Sequence, residues 1–223
     1  MPGSDASVAV SRFLQPHLDK RDRAYRPSFY VGDAFIGPRH ETIEQLVGHV
    51  EGKLQPSDHL KLYEAGYFAR GPILEVGRFS AKSTIILALG LRDAGHPWRI
   101  TSVDIDDKRL PVAVRNLREF EVLDRVSFIQ GNSSTVVASL PETFDTVFID
   151  GDHSYDAVVA DVRALEGRVV SGGVVLFHDY QDRRNADPDE PAFGVQQAVE
   201  DHAEALGLAY RGGFGSIGLY EQL

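Results

Sequence analysis

The sequence contains no cysteine. That excludes disulfide staples and thiolate metal sites, so any metal must be held by oxygen or imidazole, which favours a hard divalent ion. Long apolar runs are also missing. The longest, around TIILALGL (84–91), falls far short of the roughly 20 residues a membrane span needs. The first residues, MPGSDASVAVSRFLQPHLDKRD, show no basic start followed by an apolar core. These absences predict a soluble, cytoplasmic protein without a membrane partner. Basic residues are in deficit, 23 Lys and Arg against 33 Asp and Glu, for a formal net charge of −10. Such a surface repels a polyphosphate backbone. The short basic stretches RDRAYR (21–26) and DRRNAD (182–187) are mixed in sign and read as solvated loops, so no nucleic-acid partner is expected. Internal repeats and low-complexity tracts are absent too.

What remains is ordinary globular material. With 223 residues, 43% of them apolar and 9% aromatic, the chain can bury a real core as one α/β domain with an appendage. From about residue 72, strand-like runs alternate with helical segments. PILEVG (72–77) leads into SAKSTIILALGLRDAG, RITSVDI (99–105) into DDKRLPVAVRNLREF, and VSFIQG (126–131) into NSSTVVASL. FDTVFIDG (144–151) leads into SYDAVVADVRALEGRV, and GGVVLFHDY (172–180) into a polar loop and FGVQQAVEDHAEAL. Runs rich in Val, Ile and Phe and unbroken by charge suit parallel strands covered on both faces. The tail AYRGGFGSIGLYEQL reads as two strands joined by a Gly-rich turn, an antiparallel hairpin closing the sheet. The expected fold is a Rossmann-like, doubly wound, mostly parallel seven-stranded α/β sheet with a C-terminal antiparallel hairpin and an N-terminal helical arm.

Residues 1–65 are assigned to that arm or cap and 66–223 to the sheet domain. RHETIEQLVGHVEGKLQ and PSDHLKLYEAGYFAR predict helices, preceded by the aromatic stretch YRPSFYVGDAFIGP (25–38). An oligomerisation role for the arm, in a homodimer, is expected. The aromatic stretch could then reach over a neighbouring subunit's site.

In open α/β sheets ligands bind at the carboxyl edge of the strands, where helix N-termini and loop amides converge. In chain order the strand-ending residues are Glu75 and Gly77, Asp104 and Asp106, Gly131 and Asn132, Asp150, Asp152 and His153, and finally His178 and Asp179. The first strand ends without the G-x-G-x-x-G that a pyrophosphate needs, which weighs against NAD or FAD. Asp104 is placed to accept from the two hydroxyls of a ribose, or to cap the helix that follows. A ribose without a pyrophosphate suggests a nucleoside cofactor.

The series LEVGRFSAKST, TSVDID, VSFIQGNSS, FDTVFIDGDHSYDAVVADV and GGVVLFHDY resembles class I S-adenosylmethionine-dependent methyltransferases over about residues 60–223. It is most similar to the metal-dependent branch of macrocin-type sugar O-methyltransferases and cephalosporin-modifying methyltransferase-like proteins. The resemblance implies that Glu75, Gly77 and Ser83 frame the methionine end of S-adenosylmethionine, that Asp104 holds its ribose, and that Asn132 and Ser133 face its adenine. It further implies a divalent metal, Mg²⁺ or else Mn²⁺, on Asp150, His178 and Asp179, with Asp150 also at the cofactor and Asp152 as base. Where this chain has Ala81 the family often has glycine, where it has Asn132 often an acid, and at His178 usually a carboxylate. The imidazole of His178 shifts metal preference toward Mn²⁺, Fe²⁺ or Zn²⁺.

The chemistry has its own logic. A sugar or alcohol hydroxyl does not lose its proton unaided near neutral pH, whereas a Lewis acid lowers the pKa of a bound oxygen by many units. Alternatively His153 or His178 is itself the general base and no metal is needed. A third reading of FIDGDHSYD (148–156) is a capped strand-to-helix turn, with Gly151 supplying the permissive backbone and Asp152 or Ser154 the cap. Tyr155 and Tyr180 either line an acceptor pocket or pack. Arg78 and Lys82 either meet the cofactor carboxylate or are solvated. The loop QDRRNADPDEPAFG (181–194) suits a mobile lid over the acceptor or plain disorder. The expected activity is O-methylation of a sugar, glycoside or similar polar small molecule. A catechol or polyketide acceptor, a dehydrogenase and a non-catalytic cofactor-binding scaffold stand as alternatives.

Overall fold

The computed structural model describes residues 42–223. The aromatic stretch 25–38, the basic stretch 21–26, His17 and His40 lie outside the described residues. Within them, seven strands form one sheet in the order β3-β2-β1-β4-β5-β7-β6. Strands β1 (Ile73–Val76), β2 (Ile100–Asp104), β3 (Val126–Gln130), β4 (Phe144–Ile149) and β5 (Val169–Phe177) are parallel. Strands β6 (Leu208–Phe214) and β7 (Ile217–Gln222) form the antiparallel hairpin, with β7 against β5. β5 begins at Val169, earlier than the sequence pattern suggested, and its register with β4 shifts between Phe144 and Thr146.

Side chains along the strands alternate between two cores, as the two-residue period of a strand demands. Ile73, Phe148, Val174 and Leu176 join the core under α2 (Pro56–Tyr67) and α3 (Lys82–Asp93). Leu74, Val147, Val175 and Phe177 join the opposite core, under α5 (Ser133–Ser139), α6 (Tyr155–Ala164) and α7 (Val195–His202). The same alternation points Glu75 and His178 toward the α2–α3 side.

The stretch 39–55, expected as a helix, is helical among the described residues only at α1 (Ile43–Leu46). Its apolar residues Ile43, Val47 and Val50 are nevertheless buried in the first core. Helix α2, in the stretch assigned to the arm, packs on α3 through glycine against backbone. A Cβ on Gly66 would collide with the Leu87 carbonyl, and one on Gly90 with the Tyr63 carbonyl. Its start is a capping box: the Gln55 side chain accepts from the Asp58 backbone, and the Asp58 carboxylate accepts from the Gln55 N–H at 2.7 Å.

Candidate active site

The residues just past β1, β3, β4 and β5 each donate one further ladder bond to the neighbouring strand. Gly77 N–H donates to Val103 O, Asp150 N–H to Val76 O, His178 N–H to Ile149 O and Gly131 N–H to Asp104 O. These residues are therefore fixed by the sheet, and Gly77, Asp150 and His178 open onto a cavity of about 990 Å³ at its carboxyl edge. The cavity lies where β1 has β2 on one side and β4 on the other, the point at which strand order reverses. Gly77 has φ +85°, and a Cβ there would overlap the Asp150 carbonyl, so only glycine lets the β1 and β4 loops meet.

Of the residues assigned to a cofactor, Gly77, Ser83, Asp104, Asn132, Ser133 and Asp150 line this cavity. Glu75 does not: it is fully buried, accepting from Ser83 Oγ (2.7 Å), Thr84 Oγ1 (2.6 Å) and Ser102 Oγ (2.7 Å). Burial pushes its carboxyl up to about 7, against the pull of those three hydroxyls. Asp104 Oδ2 accepts from the backbone of Arg78 (2.9 Å) and Phe79 (3.1 Å), which ties the β2 end to the loop after β1. That loop carries two non-glycine residues at positive φ, Phe79 (47°) and Ala81 (68°), so Ala81 occupies a conformation that glycine adopts more cheaply.

On the side expected to face the adenine, Asn132 and Ser133 line the cavity with their side chains already engaged. Asn132 Oδ1 caps α5, accepting from Ser134 Oγ (2.6 Å) and Thr135 N–H (3.2 Å). Ser133 Oγ donates to Asp161, a buried carboxylate on α6 that lines the cavity and that burial pushes up to about 6. Asp161 was missed from sequence, although a lone acid on the apolar face of VVADV was the available signal.

At the other end, Asp150, His153 and His178 converge. His178 Nδ1 lies 2.9 Å and His153 Nε2 3.5 Å from Asp150 Oδ1, and one donor atom from each residue falls within 4.8 Å of the others. Yet His153 Nε2 and both ring nitrogens of His178 are buried without a directed hydrogen bond. Burial opposes charge on Asp150, but His178 and His153 outweigh it and hold its carboxyl below the ordinary range. His153 is held up to about 9 by the neighbouring carboxylates of Asp150 and Asp179. For His178 burial works against the charged ring, and Asp150 and Asp58 overcome it, raising it well above its usual value.

Asp179 stands beside this group, at φ 56°. Its Oδ2 faces His153 Nε2 at 3.2 Å and accepts from Arg184 Nη2 at 2.9 Å. It is not among the three residues whose donor atoms converge: where the resemblance implied Asp150, His178 and Asp179, the structure brings together Asp150, His153 and His178. Asp152 lines the cavity, but its Oδ1 accepts from Ser154 N–H at 2.8 Å, the turn-capping role. Tyr155 and Tyr180 pack instead of lining the cavity. Tyr155 OH bonds Asp201 at 2.9 Å, and Tyr180 sits in a cluster with Tyr210 and Tyr220. Arg78 is buried, pairing with Asp107 at 3.0 Å, and Lys82 Nζ donates to Gly52 O at 3.1 Å. The 181–194 loop is ordered by Arg184, whose guanidinium covers the Phe193 ring at 4.2 Å while Phe193 stacks on His153 at 5.3 Å.

The donor set fits a divalent cation. Two imidazole nitrogens without hydrogen-bond partners and one carboxylate oxygen share a cavity wall, which is the environment of an N,O-coordinated ion.

Residues 74–180 match the model of a family described as a methyltransferase domain. This segment is thus similar to a methyltransferase domain. The matched segment runs from Leu74 in β1 to Tyr180 just past β5, and so holds every strand end described above. An uncharacterized protein of Acanthamoeba polyphaga mimivirus is 36% identical over 85 residues, 38% of this chain and 37% of its own length. A probable cobalt-precorrin-6B C(15)-methyltransferase (decarboxylating) of Saccharolobus solfataricus is 27% identical over 79 residues, 35% of this chain and 38% of its own length. The chain thus spans under two fifths of the curated relatives it matches. Among solved structures, cofactor-bound Rv0187 from MTB superposes with a TM-score of 0.64 at 24% identity, covering 76% of this chain and 81% of that one. The O-methyltransferase from Bacillus cereus in complex with SAH gives 0.59 at 22%, covering 82% and 90%. These likenesses, with the strand order, make the fold Rossmann-like. Among the described residues no helix is long and apolar enough to cross a membrane.

Proposed function

We propose that this chain is an S-adenosylmethionine-dependent O-methyltransferase that holds a divalent cation on Asp150, His153 and His178 and methylates a hydroxyl of a sugar, glycoside or similar polar small molecule. The observation that carries the reading is the convergence of those three donors in the cavity that Gly77, Ser83 and Asp104 also line. The Bacillus cereus neighbour, an O-methyltransferase in complex with SAH, supports the choice of cofactor and reaction.

When bound, the sulfonium cofactor would supply an electrophilic methyl group and the cation Lewis acidity toward the acceptor oxygen. The chain's own residues do the rest. The loop after β1, clamped by Asp104, shapes the cofactor end. Asp150 and the two imidazoles fix the position of the acceptor end, and proximity and orientation account for a large part of such a barrier. Asp152, a carboxylate on the cavity wall held below its ordinary pKa by the Ser154 N–H, is available to take up the proton. Arg184 lines the acceptor end and covers the Phe193 ring that stacks on His153, and Arg184, Asp179 and His153 offer hydrogen-bond partners to a hydroxyl-bearing acceptor.

The test is a thermal-shift series with S-adenosylmethionine, its demethylated product and NAD, each with Mg²⁺, Mn²⁺ or a chelator. A ligand at 100 times its Kd stabilises the fold by about 2.7 kcal/mol. The reading expects stabilisation by the sulfonium cofactor and its product, none by NAD, and a further gain with metal that the chelator abolishes. Stabilisation by NAD alone, or no gain from any metal, would contradict it.

A further inference from the structure

His178 has a second face, turned away from Asp150. Its Nε2 points at Asp58 Oδ2, 3.5 Å away, and both side chains are buried, at 5% and 0% exposure. Asp58 is set in place by groups that have nothing to do with the histidine. Ser216 N–H donates to Oδ1 at 2.9 Å, while Ser216 Oγ (2.9 Å) and Gln55 N–H (2.7 Å) donate to Oδ2. It is the N3 residue of α2, where a carboxylate is favoured by the helix dipole and the capping box. It also lies outside the segment that matches the methyltransferase-domain family, residues 74–180.

We infer that Asp58 is a positioning residue for the metal-binding face of His178: with a cation bound, the carboxylate that faces Nε2 favours the proton there and leaves the Nδ1 lone pair toward Asp150 and His153. The inference rests on the proposed metal-binding reading and deepens it. A neutral imidazole offers one lone pair, and the nitrogen that offers it is decided by what the other nitrogen donates to. Metal-bound histidines regularly donate their second N–H to a carboxylate or carbonyl, and loss of that partner costs about 10–100-fold in metal affinity. Here α2 supplies the partner carboxylate for an imidazole standing at the end of β5. The Ser216 contacts bind the same carboxylate to the turn of the β6–β7 hairpin, so three separate parts of the chain fix one ring.

The experiment is a Mn²⁺ titration, followed by EPR of the free ion, of the wild type, Asp58→Asn, His178→Asp and the double variant. S-adenosylhomocysteine binding, measured by calorimetry, reports on the fold. Asp58→Asn is expected to weaken Mn²⁺ about 10–100-fold while S-adenosylhomocysteine affinity is unchanged. In the His178→Asp background, where no tautomer needs setting, the same change is expected to cost less than about threefold. Equal losses in both backgrounds would mean that Asp58 acts only through the fold, and no loss in either would mean that it does not act on the site; each overturns the inference. A wild type that binds no cation overturns the metal reading and the inference together, and is distinguished by its own titration. A further measurement requires no variant. In zinc-loaded wild type with ¹⁵N-labelled histidine, NMR is expected to show a metal-shifted Nδ1 and a protonated, exchange-protected Nε2 for His178, whereas the reverse pattern overturns the inference.

Discussion

Asp150 stands between two imidazoles, and what it can do depends on single residues around it. Gly77 is the tightest constraint. Any side chain there meets the Asp150 carbonyl and must also adopt φ near +85°. Gly77→Ala is expected to lose at least about 2 kcal/mol of stability in urea denaturation and to abolish S-adenosylhomocysteine binding. Glu75 makes a different prediction. Its carboxyl sits at about 7 in the folded protein against an ordinary value of 4.5, so the folded state binds that proton more tightly than the unfolded chain. Stability from this group is fully present below about pH 4.5 and is lost as pH rises through about 7. Glu75→Gln, which keeps the shape without the charge, is expected to flatten that part of the stability profile and to melt higher than wild type at pH 8. A steeper slope in the variant would contradict the assignment.

At the scale of elements, helix α2 and the loop after β5 govern the site from behind and from above. Gly90→Ala is expected to force α2 off α3 and lower stability by about 1–3 kcal/mol. Because Asp58 rides on α2, metal affinity should fall with it, while Gly95→Ala, where a Cβ meets nothing within 4 Å, should leave metal affinity unchanged. In the loop, Arg184 ties Asp179 and covers Phe193, the ring that stacks on His153. Arg184→Ala is expected to lower kcat/KM for the acceptor by about tenfold or more with cofactor affinity unchanged. A loss confined to cofactor binding would place the loop at the wrong end of the cavity.

Over the whole molecule, the strand ends were legible because parallel strands buried on both faces announce themselves as apolar runs, and polar residues must follow where they emerge. Gly77, Asp104, Asp150 and His178 could be placed on one edge from that pattern. Contacts set by three-dimensional packing could not be read. Nothing in PSDHLK brings Asp58 to His178, because their meeting depends on α2 crossing the sheet at the level of β5 and on Ser216 in the hairpin turn. Likewise, nothing in the order of residues told which of Asp152, His153 and Asp179 would turn toward Asp150. The turn after β4 gave Asp152 to Ser154 N–H, and Arg184 drew on Asp179, leaving His153 to complete the group.

That last choice is the most direct point of test. Mn²⁺ titrations of the wild type, His153→Ala and Asp179→Ala, read by EPR of the free ion, compare the two candidate third donors. The account predicts that His153→Ala weakens binding by about 100-fold or more and Asp179→Ala by about tenfold or less. The opposite order, or a wild type that binds no divalent ion, would contradict a metal centre built on Asp150, His153 and His178.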